Sequence, residues 1–117
     1  MFIKNGGLTT MKDLELKSFE IISNVGTARS CYIEAISHAK KFDFEMAENL
    51  MKDGIEAFNS GHKAHAGLIQ MEANHEEFPF SLILMHAEDQ LMSAEGFKII
   101  ANEFIDIYKR MKENDLK

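Results

Sequence analysis

Apolar and small residues in this chain recur at alternating steps of four and three, and almost nothing interrupts them. One line runs through Leu14, Ser18, Ile21, Val25, Ala28, Tyr32, Ala35 and Ala39. A second runs through Phe44, Ala47, Met51, Gly54, Phe58, Gly61, His65, Leu68 and Glu72. Such spacing sets one residue per turn on a single helix face, the pattern by which long helices pack side by side. The chain has one proline in 117 residues, so little breaks those helices. No stretch carries the alternation of a strand. The reading is all-α: helices over Met11 to Lys41, Phe44 to Ala73, and Pro79 or Ser81 to Lys112. Each helix spans about 45 Å, and the short links predict an antiparallel up-down-up three-helix bundle.

The ends of these helices carry their own signals. Thr9 or Thr10 suits the first N-cap, with Asp13 and Glu15 in the first turn and Lys40 and Lys41 at the far end. Asp43 reads as the second N-cap, with Phe42 and Ala47 spaced for a hydrophobic staple. Asn74 to Phe78 is the second break, and Pro79 favours a first helical turn. Lys109, Arg110 and Lys112 suit a helix C-terminus. Residues 1–10, with Gly6-Gly7 and no periodicity, are expected to form a loose tail; Met11 is an alternative start. Residues 11–117 are then one helical domain. Gly54 and Gly61 each cost about 1 kcal/mol against alanine inside a helix, and their seven-residue spacing suggests close approach of another backbone.

Charge and composition exclude several functions. The net charge is −6 and no basic cluster occurs, which argues against nucleic acid or an anionic membrane as partner. No apolar run is long enough to span or insert into a membrane, and residues 1–10 lack the features of a secretory signal. The single cysteine, Cys31, allows no internal disulfide; it reads as a small buried residue in a cytoplasmic protein. Eight methionines suit adaptable helix packing or a contact surface. Two lines of the third helix are apolar: Leu84, Ala87, Leu91, Ala94, and a line through Leu82, Phe97, Ile100 and Phe104. A three-helix monomer has use for one of them, so self-association through the third helix follows. An odd- or even-numbered bundle would serve.

The second of those lines is interrupted by a polar cluster. His86, Asp89, Gln90 and Ser93 share a face at helical spacing. A polar group on a seam meant for burial loses hydration unless something pairs with it. His86 and Asp89 are therefore structural partners or the working groups of the protein. His62 and His65, three apart, have the spacing of a metal pair but lack evident third and fourth ligands; interface histidines are the plainer reading.

From Asn24 to Lys112 the chain resembles the IIA component of the lactose/cellobiose (chitobiose) branch of the bacterial phosphoenolpyruvate-dependent sugar phosphotransferase system (PTS). The resemblance rests on Gly26-Thr27-Ala28-Arg29-Ser30 with Tyr32 to Ala39 and Phe42-Asp43-Phe44. It continues in His62 to Ala73, and is most specific at Ser81 through Met92, with His86-Ala87-Glu88-Asp89-Gln90-Leu91-Met92. It implies a homotrimer of three-helix subunits joined through their third helices. It implies that His86 accepts a phosphoryl group from HPr and passes it to a cysteine of the cognate IIB protein, while the IIC membrane permease moves the sugar. It also implies a divalent ion, magnesium, held by Asp89 at the threefold axis. The chain departs from the family pattern at His65, Ala66, Glu88 and Gln90, where glutamine, threonine, glutamine and a second histidine are common.

The chemistry fits the residue types. Neutral imidazole both attacks and leaves near neutral pH, because its ordinary pKa is about 6.5. Phosphoryl transfer depends mostly on positioning and charge. Gln90 and Ser93, one and two turns onward, are placed to support the imidazole or phosphate. Arg29, Ser30, His62 and His65 are candidate donors from the same or an adjacent subunit, although Arg29 also reads as an ion-pairing seam residue. Three Asp89 carboxylates around one axis would repel, and a hard cation with oxygen ligands resolves that. Two rival functions remain. One is a protein-binding module built on a TPR-like hairpin over Ala35 to Ala57, though no second copy of the repeat is present. The other is a histidine phosphotransfer domain of two-component signalling, whose usual lysine and glycine do not follow His86.

Overall fold

A computed structural model of the chain describes residues 11–74 and 80–115. Three helices account for most of these residues: α1 (Met11–Lys40), α2 (Phe44–Ala73) and α3 (Leu82–Asp115). The expected tail at 1–10, its threonine cap, and the break around Pro79 lie outside the described residues.

The α1–α2 link closes without a glycine. Phe42 takes the left-handed conformation, with φ 62°, while Asp43 N–H donates to the His38 carbonyl and Phe42 N–H to that of Ala39. This pair of bonds satisfies the last carbonyls of α1 and stops the helix one residue short of the expected Lys41. Asp43 then caps α2 as anticipated, its Oδ1 accepting from Met46 N–H at 3.3 Å. His38 Nδ1 meets the other Asp43 oxygen at 3.1 Å. Ser81 opens α3, its Oγ accepting from Leu84 N–H at 3.2 Å. That helix continues past the expected Lys112 to Asp115. Within its last turns Arg110 pairs back one turn to Asp106 at 3.0 Å.

Residue pairing gives the register. A Cβ on Gly54 would meet Tyr32, and one on Gly61 would meet Val25, so rising numbers in α2 oppose falling numbers in α1. The same holds between α2 and α3 in Glu48–Lys109, Phe58–Lys98 and His65–Glu88.

All eight residues of the first seam are buried. The α2 seam holds through Gly61 and then shifts. Ala64 and Leu68 are buried, His65 is half-buried and Glu72 is exposed. His65 turns to Glu88 of α3, 2.8 Å away, and the smaller Ala64 packs into the core. In α3 the line Ala87, Leu91, Ala94, Ala101 and Ile105 faces the core.

Eight of the seventeen apolar core residues are alanine, so the helices lie close together around a thin core. Its largest fully buried side chain is Tyr32. The Tyr32 hydroxyl has no hydrogen-bond partner among the described residues. Burial, then the neighbouring Cys31 thiol, pushes the Tyr32 phenol up to about 12 from an ordinary 10. Tyr32→Phe is accordingly expected to be neutral or stabilising by up to about 1 kcal/mol, since it deletes a desolvated, unpaired hydroxyl. Below pH 10 this phenol is neutral whether the chain is folded or not. Between 10 and 12 only the unfolded chain ionises there, so stability falls with rising pH in that window. Urea titrations at pH 8 and 11 should show a smaller loss for Tyr32→Phe than for the parent.

Candidate functional site

The His86 line of α3 lies on the open side of the bundle. Leu82 is 74% exposed, Ile100 51% and Phe104 42%, and His86 and Asp89 are exposed between them. The sequence places this line on a seam meant for burial; within one chain the Ala87 line fills the core instead. The open face continues through Ile107 and Met111. His86 sits in a shallow recess with Leu82 and Ile83. No described residue hydrogen-bonds the His86 ring or the Asp89 carboxylate, so the two are not structural partners of each other.

Gln90 and Ser93, one and two turns beyond His86, are half-buried. Arg29 reaches across from α1, and its Nη1 donates to Gln90 Oε1 at 2.9 Å. Arg29 thus meets an amide, and not the carboxylate of a seam ion pair.

The α2 histidines have other company. His65 Nε2 lies 2.8 Å from Glu88 Oε2, on the side of α3 turned away from His86, since residues two apart on a helix do not share a face. His62 is exposed and stacks on Phe58, with ring centroids 6.0 Å apart and planes at 19°. Ser30 is exposed on α1. Among the described residues no three His, Cys, Asp or Glu side chains gather within one chain to hold a metal. Cys31 is half-buried, and burial, followed by the Asp53 and Glu34 carboxylates, raises its thiol pKa. That disfavours the thiolate needed for nucleophilic work.

The segment 16–109, which contains His86, Asp89, Gln90 and Arg29, matches the family model "PTS system, Lactose/Cellobiose specific IIA subunit". The chain belongs to this lactose/cellobiose IIA family. Among its relatives, the lactose-specific EIIA component of Staphylococcus epidermidis is 34% identical over 98 residues, covering 84% of this chain and 94% of that one. The lichenan-specific IIA component of Bacillus subtilis is 36% identical over 102 residues, covering 87% and 93%. The crystal structure of the cellobiose-specific enzyme IIA from Bacillus anthracis superposes with a TM-score of 0.83 at 38% identity, covering 91% of this chain and 95% of that one. As an EIIA-type chain it is a phosphotransferase-system component. No helix among the described residues is long and apolar enough to cross a membrane.

Proposed function

We propose that this IIA chain is a cytoplasmic phosphocarrier in which His86 accepts a phosphoryl group from phospho-HPr and delivers it to a cysteine of the cognate IIB protein. The sugar moved by the associated IIC permease would be of the lactose, cellobiose or chitobiose type. One observation carries this reading: within the family segment, His86 is an exposed imidazole with no hydrogen-bonding partner among the described residues, so a ring nitrogen is free for a substrate protein. That nitrogen uses its lone pair to form the bond to phosphorus as the bond to the donor breaks. The IIB thiolate then attacks the same phosphorus, and the imidazole leaves. The phosphohistidine keeps a high transfer potential, which suits a carrier. If phosphorylated IIA is mixed with purified IIB, label should move to the IIB cysteine. A pure binding module would never have taken up label, and a two-component domain would exchange with a response regulator instead.

The subunit would work as a homotrimer of up-down-up three-helix chains, with the open α3 faces turned toward one another. A core rich in alanine buries little area per chain, and the exposed line of Leu82, Ile100, Phe104, Ile107 and Met111 supplies what association needs. Asp89 lies on that same face. One exposed carboxylate per chain, with no partner among the described residues, fits a divalent ion shared between copies. Three hard oxygen donors with water completing the shell suit magnesium. When bound, such an ion offsets the mutual repulsion of the carboxylates. Chelation or acidification should therefore shift the assembly of the parent protein. Asp89→Leu removes the repulsion along with the donor, and is expected to leave the trimer intact and indifferent to EDTA. Sedimentation velocity checks this, and a monomeric Asp89→Leu beside a trimeric parent would contradict it.

A further inference from the structure

Arg29 is half-buried, and its one hydrogen bond among the described residues goes to the neutral amide of Gln90. It has no carboxylate partner there. A partly desolvated guanidinium left without a counter-charge favours a nearby anion. Gln90 is four residues after His86 on α3, one turn along the same face. Helical side chains lean toward the N-terminus, so the Gln90 side chain lies over the turn that holds His86. A glutamine amide has one accepting and one donating end. Arginine only donates, so its contact holds Oε1 toward Arg29 and turns Nε2–H₂ the other way.

We infer that Arg29 is a positioning residue, which fixes the Gln90 amide so that its Nε2–H₂ donates to a phosphoryl oxygen on His86, while the guanidinium charge offsets that of the group. This rests on the reading of His86 as phosphocarrier. No bond to Gln90 or Arg29 forms or breaks; both act on the charge that accumulates on the phosphoryl oxygens during transfer.

Gln90→Glu separates this role from a packing role. Glutamate keeps the length and the contact to Arg29, and strengthens it into a charge-assisted pair. It also removes the amide donor and adds negative charge beside the phosphoryl group. The melting temperature of the full chain is expected to hold or rise, while the rate of phosphoryl uptake from phospho-HPr falls by about 10- to 100-fold. Arg29→Met should slow uptake to a similar degree, with Arg29→Lys restoring part of the rate. Adding Arg29→Met to Gln90→Ala should cost little more than either alone. In the parent, the Gln90 side-chain NH₂ resonances should shift on phosphorylation, and Arg29→Met should diminish that shift. Unmoved Gln90 resonances in a phosphorylated parent, or a Gln90→Glu chain that takes up phosphate at the parental rate, would overturn the inference and leave His86 as the carrier. A parent chain that takes up no phosphate on His86 would overturn both.

Discussion

His86→Ala is expected to abolish phosphoryl relay while leaving the fold untouched. On the proposed role of His86 the variant lacks the nucleophile of the transfer, so uptake from phospho-HPr should fall at least about a thousandfold. Cys31 does not substitute, because its thiol pKa is raised and it is partly buried on α1. The stability cost should be small. His86 is exposed and lines a shallow recess with Leu82 and Ile83, and exposed substitutions of this kind stay within about 0.5 kcal/mol. Alanine also has the higher helix propensity. Stopped-flow transfer assays beside thermal melts separate the two quantities. A variant that loses uptake because it has unfolded would show it in the melt.

The largest structural effect is expected from one methyl group on α2. A Cβ at position 54 would lie 2.5 Å from Tyr32 Cε1, 2.9 Å from Cδ1 and 3.1 Å from Cys31 Cβ. The Tyr32 ring is fully buried and has nowhere to move without parting α1 from α2. Overpacking of this kind costs about 1–3 kcal/mol, against about 1 kcal/mol gained by replacing glycine in a helix. Clashes with a fixed ring place Gly54→Ala toward the upper part of that range, for a net loss of about 1–2 kcal/mol. Each kilocalorie lowers the midpoint of a domain this size by about 4–8 °C. Gly67→Ala is the control, since a Cβ there meets nothing within 4 Å, and it should gain up to about 1 kcal/mol. Melts at matched protein concentration measure both, because assembly contributes to apparent stability. A Gly54→Ala chain as stable as Gly67→Ala would mean that the helices are not packed this closely.

Helix periodicity made most of this fold legible in advance. The α1 seam from Leu14 to Ala39 needs only local spacing to read, and all of it is buried. The Asp43 cap and the close approach at Gly54 and Gly61 were legible for the same reason, since caps and glycine spacing are local signals. The end of the α2 seam was not. Ala64 took the buried place and His65 turned to Glu88 of α3, a pairing between helices that spacing within α2 does not encode. Where α3 ends was misread at Lys112, because a basic run marks a helix terminus only when nothing further on sustains the helix.

The candidate site divides along the same boundary. His86, Asp89, Gln90 and Ser93 stand together because one helix carries them, and four residues of local spacing suffice to see it. The pairings Arg29–Gln90 and His65–Glu88 depend on how far one helix is slid along another, which no periodicity within a helix encodes. Arg29 was legible as a candidate donor or an ion-pairing residue, on a line with Ile22 and Ile36 seven residues to either side, but its partner was not. That line is half-buried throughout, and a guanidinium in it without an obvious acid one turn away was the available sign of a partner elsewhere.

The most direct measurement is the identity of the phosphorylated atom. Incubation of the full chain with phosphoenolpyruvate, enzyme I and HPr, followed by phosphorus NMR and peptide mapping, should find a single phosphate on the His86 imidazole, labile in acid and stable in base. Phosphate on any other residue, or none under conditions that fully charge HPr, would contradict the role assigned to His86.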